Sequence, residues 1–427
     1  MRYIGIIILL VLCLTLLLFT GCMINTVTHE PASGNLENQE DINQSSNNSQ
    51  NSSTSPIYEP GTEEPAEESV TVYPQQWATG DGTVENPWAN NCIQKAYDAV
   101  PVGGTIFLKA GYYALSVQVK ITKKVNIIGE GRDKTIITTA DAHGLYIDNV
   151  DYVTIKNLMI DGNAQTDGIQ YLGCISVNDS SYAFLENIEI KNGGYYGLNM
   201  WQVNRSSFQN IHSHDNYRHG VHGGTDATGW NMYNTYRDIY CWDNGVDGFN
   251  ERGSSVAPFE QLYNVYDNLN CWDNEEVGIR IGNQKSGDLS NSSASGNGHV
   301  GILLYSIEDF IIHDCSITLN ALEGLYISES KNVNFTNVIV KNNNVSDTAY
   351  IPGITVNASN GTKFTSCQSY DDRVAPLQYY ALKTSSVGNV DFVEIINCTF
   401  LPNKYGAIDN YAGTVITEAM LVKFYQV

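Results

Sequence analysis

Histidine, arginine and carboxylate side chains crowd one short part of this chain. Of eight histidines, four lie between positions 212 and 222: His212, His214, His219 and His222. They fall among four related pentapeptides: GLNMW (197–201), GVHGG (220–224), GFNER (248–252) and GIRIG (278–282). Each has a glycine, an apolar residue, a variable one, a mostly apolar one and another variable one. That alternation is a strand whose second and fourth side chains after the glycine face outward. The outward set is Asn199, Trp201, His222, Asn250, Arg252 and Arg280. Asp247 precedes Gly248 as His219 precedes Gly220, so the two are expected to be neighbours, with Arg218 and Glu276 close by. A histidine titrating near neutrality suits removal of a proton alpha to a carboxylate that arginines neutralise. Two carboxylates drawn from Asp247, Glu251 and Glu276 would instead suit acid–base cleavage of a glycosidic bond, at a separation of about 6.5–9.5 Å for inversion. The candidate catalytic set is therefore His222, Asp247, His219, Glu251, Glu276 and Arg280. The candidate substrate-binding set is Asn199, Trp201, Arg218, Trp230, Asn250, Arg252 and Tyr305. Glu251 falls at an inward position, where an unpaired carboxylate is costly, so it is expected either to pair with Arg252 or Arg280 or to mark a bulge.

Positioning these groups is the work of a repeat. An Asn or Asp stands before an apolar strand at Asn157, Asn187, Asn210, Asp238, Asn268, Asn291, Asp314, Asn337 and Asn397, with Ser366 in the same place. Ten residues separate this marker from the next glycine in five successive copies, and thirteen separate the glycine from the next marker in the plain copies. A 23-residue unit of three short strands, with tight turns and no helical period, is one coil of a solenoid. The expected fold is all-β: a single-stranded right-handed parallel β-helix of about ten coils, with the marker amides hydrogen-bonded along the stack. A leucine-rich repeat is excluded by the lack of a leucine consensus and the β-branched strands. Two coils are longer than the unit, adding loops at 225–233 and 254–263, which carry Trp230 and are expected to wall a groove over the glycine strands. Trp242 and Trp272 share an outward position in YCWDN and NCWDN, as a sugar platform or as cover for a loop.

The ends of the chain fit a protein outside the cytoplasm. Arg2 and the apolar run 4–19 before Thr20-Gly21-Cys22 form a secretory signal, so residues 1–21 are expected to be removed, with Cys22 as a lipid-bearing first residue. Residues 22–70 are rich in Asn, Ser and Glu and form a linker that cannot bury enough apolar surface to order itself. Residues 71–427 form the β-helix, opening with a short capping helix near 90–99 and the pair Gly103-Gly104 before the first strand. On this repeat and this start, the chain resembles the pectate-lyase-like superfamily, which includes polysaccharide lyases, polygalacturonase-type hydrolases, uronate epimerases and phage tail-spikes. The arrangement resembles that of polygalacturonases, in which groups just before and just after the first-sheet glycine carry the catalysis. The hydrolase signatures NTD, DD and GHG are absent, as are the pectate-lyase arginine motif and the epimerase DPH. Only GIRIG echoes the hydrolase RIK, with Gly282 in place of its lysine.

A net charge of −23 excludes nucleic acid as a partner. No CxxC pair occurs among the nine cysteines, so those in the solenoid read as buried small hydrophobes with at most one or two disulfides. Calcium could bridge protein and substrate carboxylate, although no ligand set is evident. The expected protein is a monomer, attached to a membrane only through lipid, that cleaves a uronate-containing polysaccharide as lyase or hydrolase. The non-catalytic alternative is a surface adhesin or glycan-binding β-helix, which would spread its polar residues along the stack.

Overall fold

The computed structural model describes residues 69–72, 80–83, 86, 93–139, 144–163, 173–224, 231–253, 261–385, 392–401, 403–410 and 415–419. Contacts divide the chain into Met1–Ser53 and Thr54–Val427, and all described residues belong to the second unit. The signal segment, Cys22, Trp230 and the centres of both long loops lie outside the described residues. Among the described residues no helix is long and apolar enough to cross a membrane.

The described residues form a right-handed parallel β-helix of about 10 turns with one helix. Its strands form a 21-stranded and a 13-stranded sheet, every pairing parallel. The 13-stranded sheet contains the glycine strands. Its inner column runs Leu198, Val221, Phe249, Ile279, Ile302 and Leu325 in register, all 1% exposed or less. Burying each such side chain contributes about 1.5–3 kcal/mol, and no coil can bury its own column without a neighbour.

The marker residues are corners. Asn157, Asn187, Asn210, Asp238, Asn268, Asn291, Asp314, Asn337, Ser366 and Asn397 all have positive φ, between 50° and 59°. Asn and Asp tolerate this left-handed conformation best among non-glycine residues. The amide ladder expected there also forms, with Asn187 Nδ2 donating to Asn157 Oδ1 (2.9 Å) and Asn210 Nδ2 to Asn187 Oδ1 (3.1 Å). From Thr154 to Trp272 the second and third strands run through this corner without a break, as in Ser207–His214, whereas before and after that stretch they separate, as in Asn126–Gly129 and Thr135–Thr139 or Asp288–Ser290 and Ser293–Ser295. Three distinct strands per coil therefore hold only outside that stretch.

A second asparagine ladder, inside the stack, carries no marker in the sequence reading. Asn216, Asn244, Asn274, Asn297, Asn320 and Asn343 are 2% exposed or less, and each donates through Nδ2 to the next Oδ1 at 2.8–2.9 Å. The same oxygens accept the backbone N–H of the preceding rung. This ladder explains the repeating glycine. A Cβ on Gly278 would stand 2.6 Å from Asn297 Nδ2 and 2.8 Å from the Gly301 carbonyl, so only glycine lets the strand begin there.

At the N-terminal end, strand Ser69–Val72 already pairs with Thr105–Leu108, so the solenoid starts at Ser69, inside the segment expected to be linker. The helix Ile93–Ala99 buries Ile93, Ala96 and Tyr97, and the Tyr97 hydroxyl accepts the backbone N–H of Thr122 (2.7 Å) and of Lys123 (2.9 Å). Cys174, Cys241, Cys271, Cys315, Cys367 and Cys398 are buried and unpaired.

Candidate active site

Two outward rows of the glycine sheet bring the sequence candidates together. One row runs Asn199, His222, Asn250, Arg280 and Leu303 along the stack. The other holds the residues just before the glycines: Tyr196, His219, Asp247 and Val277. The rows interlock. Tyr196 lies flat against His222 (ring centroids 4.3 Å apart, 3° between planes) and also stacks on His219 at 5.3 Å. His219 and His222 are 5.4 Å apart.

Hydrogen bonds set the state of each imidazole. The Asp247 backbone N–H donates to His219 Nδ1 at 3.2 Å, so that nitrogen is bare and the ring proton sits on Nε2. His222 Nδ1 lies 3.0 Å from Asn199 Oδ1. With the amide oxygen as acceptor, Nδ1 carries the proton and Nε2 presents its lone pair. Burial, then the charge of Arg218, holds His219 well below the ordinary histidine value. Burial, with His219, Arg252 and Arg218, lowers His222 to about 3. Both rings are neutral in the physiological range.

Asp247 is wholly buried and saturated. Its oxygens accept the Asn250 amide, the Val277 N–H (3.1 Å), and Arg280 through Nε (2.8 Å) and Nη2 (3.1 Å). The paired fork is the stronger kind of ion pair. The expected roles of both partners change accordingly: Asp247 has no room for a substrate proton, and the Arg280 charge is spent on Asp247. Glu276, 3.9 Å from Arg280 Nη2, is the exposed carboxylate of the cluster. Arg252 is exposed, and its Nε donates to Asn250 Oδ1 at 2.9 Å. Asn250 thus links Arg252 to Asp247 and is itself 0% exposed, as Asn199 is 3% exposed. Neither amide is the open contact expected of it.

Glu251 is the clearest correction. It pairs with neither arginine but lies inside the coil, 0% exposed, accepting the Tyr236 hydroxyl (3.1 Å) and the Tyr266 hydroxyl (2.8 Å). Strand alternation sends it to the face opposite Asn250 and Arg252, so it leaves the catalytic set. The space it needs comes from Gly223, where a Cβ would meet Glu251 Cγ at 2.8 Å.

Sequence reasoning missed Tyr195 and Tyr196. Arg218 sits over the Tyr195 ring at 5.0 Å and donates to its hydroxyl at 2.5 Å. Tyr196 precedes Gly197 as His219 precedes Gly220, so the row position was a usable signal. Trp201 and Tyr305 are half-buried on the groove face. A Cβ on Gly282 would stand 2.0 Å from Tyr305 Cζ, which is why the lysine of the resembling motif has no place there. Trp242 stacks on Trp272 at 4.9 Å and on His214 at 4.1 Å, on the other sheet. A cleft of 620 Å³ lies along the turn beside Asp215, Asp243, Val246 and Glu275, and meets the site only at Arg218. The expected site residues lie on the sheet face rather than in that cleft, Arg218 excepted. No group of three metal-ligating side chains occurs among the described residues.

A family model described as right handed beta helix region matches residues 229–392. That match lies within the right-handed β-helix described above. No curated protein matches it by sequence. The A-module of the mannuronan C-5 epimerase AlgE4 from Azotobacter vinelandii is similar in structure at 17% identity and a TM-score of 0.63, over 77% of this chain and 95% of that one. PfbA, a surface adhesin of Streptococcus pneumoniae, is similar at 10% identity and 0.58, over 79% and 91%. The Agl-KA catalytic domain is similar at 15% identity and 0.60, over 76% of this chain and 65% of that domain. At these identities the likeness is one of fold.

Proposed function

We propose that the protein works outside the cytoplasm, tethered through Cys22, on a uronate-containing polysaccharide bound across the glycine sheet, and that it cleaves by β-elimination. The observation that carries this reading is the neutral His222, held by Asn199 through Nδ1 and by Tyr196 through its ring, with the charge of exposed Arg252 acting on it. A hydrolase needs two accessible carboxylates, and of the three expected candidates Asp247 is saturated and Glu251 is interior, which leaves Glu276.

In this reading Arg252 neutralises the uronate carboxylate and His222 Nε2 takes the proton alpha to it. The freed electron pair forms the new carbon–carbon double bond as the glycosidic carbon–oxygen bond breaks. The imidazolium, a strong acid in this setting, returns the proton to the departing oxygen. Positive charge from Arg252 and Arg218 depresses His222. An anionic substrate offsets that charge and makes the ring more basic when it is needed.

The deciding assay incubates the secreted chain with acidic and neutral glycans. Ultraviolet absorbance from an unsaturated uronate is the expected result. Reducing ends without that absorbance would make it a hydrolase, and binding without any product would leave the adhesin reading, which the likeness in fold to PfbA keeps in play.

A further inference from the structure

Trp242 and Trp272, expected either as a sugar platform or as cover for a loop, belong to a row of the 21-stranded sheet that the proposed chemistry does not use. In register along the stack the row reads His214, Trp242, Trp272, Ser295, Thr318 and Lys341. The row faces outward, because Cys241, Cys271, Ala294 and Ile317, one position earlier on their strands, are all 0% exposed. Trp242 is held on both faces, by His214 at 4.1 Å (10° between planes) and by Trp272 at 4.9 Å (6°). His214 Nδ1 lies 2.6 Å from Asp215 Oδ2, so the stack is braced at that end. At the other end it stops. The indoles follow one another at about the coil spacing of 4.8 Å, and the next place in the row belongs to Ser295, whose side chain is too short to cover a ring. The second face of half-buried Trp272 therefore looks along the row over Ser295 and Thr318 toward Lys341.

The floor of this notch is hydroxylic. Ser293 and Ser316 stand in register in the neighbouring outward row, and Ser293 Oγ donates to Asn270 Oδ1 at 2.6 Å. Ser316 is exposed, and Ser295 and Thr318 are half-buried. Exposed Asp273, next to Trp272, reaches over the same place: a Cβ on Gly296, the residue after Ser295, would collide with Asp273 Oδ1. The charge of Lys341 at the far wall is met by Asp372, with Nζ 2.7 Å from Oδ2.

We infer that this notch is a second glycan site, for an uncharged pyranose that takes the next place in the ring stack. The apolar face of the sugar lies on Trp272, and its hydroxyls meet Ser295, Thr318 and the Asp273 carboxylate. An apolar peptide would leave the floor hydroxyls and that carboxylate without partners. A uronate or a nucleic-acid phosphate would meet repulsion from Asp273 and from a net charge of −23. A sugar with an apolar face and a hydroxyl rim satisfies both surfaces, and the braced stack is ordered before it arrives. A ring flat on Trp272 lies in the plane of the indole, so the glycan runs across the stacking axis and one residue makes the aromatic contact. The site holds the protein on a neutral glycan and does not depend on which residues act on the glycine sheet.

The test is titration calorimetry on the full chain. The probes are cello-, xylo-, manno- and malto-oligosaccharides of two to six residues, with oligogalacturonates of the same lengths. At least one neutral series should bind, equally well to wild type and to His222→Gln, whose change lies on the other sheet. Trp272→Ala should weaken that binding about tenfold, the worth of an aromatic face contact. Ser295→Tyr puts a ring where the sugar would lie and should block the site with Trp272 retained, so a folding defect in Trp272→Ala does not decide the matter. Asp273→Asn should relax the choice and let oligogalacturonates compete with the neutral sugar. The site is overturned if no neutral series binds, if neutral binding survives both Trp272→Ala and Ser295→Tyr, or if wild type prefers the uronates at Trp272. Neutral binding lost in His222→Gln but kept in Trp272→Ala also overturns it and assigns that binding to the glycine sheet.

Discussion

The coils that begin at Gly220 and Gly248 and those that begin at Gly301 and Gly324 share one inner architecture and differ outside it. Rungs of the buried asparagine ladder are 28 and 30 residues apart in the first pair (Asn216 to Asn244 to Asn274) and 23 apart in the second (Asn297 to Asn320 to Asn343), yet the bonds are 2.8–2.9 Å throughout. The extra residues are exported as loops without cost to the ladder. The outward row changes instead, from His222, Asn250 and Arg280 to Leu303 and Tyr326. Stability and the proposed chemistry therefore fall on separable rows of one repeat. The early coils even give up part of the apolar inner wall, holding Glu251 where the later ones hold Leu304 and Ile327.

The sharpest way to break that separation is at His222. His222→Gln should lower kcat/KM about a thousandfold, as loss of a general base does, with the melting temperature nearly unchanged. Tyr326→Phe, in the same row of a plain coil, should leave activity intact. The acid limb of the wild-type pH–rate profile should lie far below the ordinary 6.5, because burial lowers His222 to about 3 in the free protein. A limb near 6.5, or equal losses for the two variants, would show that the row position carries no special chemistry.

The ladder should respond in the opposite sense. Asn297→Ala removes the acceptor of the Asn274 amide and backbone N–H and the donor to the Cys271 carbonyl. Leaving such buried groups unmet costs about 1–3 kcal/mol each, so urea midpoints should fall by about 3 kcal/mol in stability, with kcat/KM per folded molecule retained. Asn337→Ala, at an exposed corner with φ of 54° and one bond to Asp314, should cost about 1 kcal/mol. Similar losses at the two sites would erase the distinction between ladder and corner.

What was readable beforehand follows the same division. Glycine and corner spacing gave the register, because both arise from backbone constraints that each coil must meet at Gly278 or Asn210. The register placed His219 beside Asp247 and His222 beside Asn199 and Asn250. It could not say that Asp247 is saturated, since its fork partner Arg280 is 33 residues away and only the finished stack buries both. The ladder residues stand four positions before their glycines from Asn216 to Asn320, a regularity hidden among many other asparagines. Glu251 was placed inward correctly, but its partners are tyrosines of the opposite sheet, beyond the reach of any single-strand pattern.

That carboxyl gives the smallest and most specific test of how far the early coils depart from the plain inner wall. Burial pushes Glu251 up to about 8 from an ordinary 4.5, while the Tyr266 and Tyr236 hydroxyls pull it the other way. Geometry agrees with a retained proton. The Tyr266 hydroxyl lies 2.8 Å from Glu251 Oε2 and 2.7 Å from Gln284 Oε1, and its one hydrogen serves only one of them. A protonated Oε2 donating to Tyr266 frees that hydrogen for Gln284. Between pH 4.5 and 8 the unfolded chain has released this proton and the folded chain still holds it. Stability then falls as pH rises through that window, at up to about 1.4 kcal/mol per pH unit from this group. Glu251→Gln keeps the shape and removes the titration. Its stability curve should lie below or level with wild type near pH 5 and cross above it by pH 8. Curves that stay parallel from pH 5 to 9 would mean that the interior carboxyl titrates as it does in the unfolded chain.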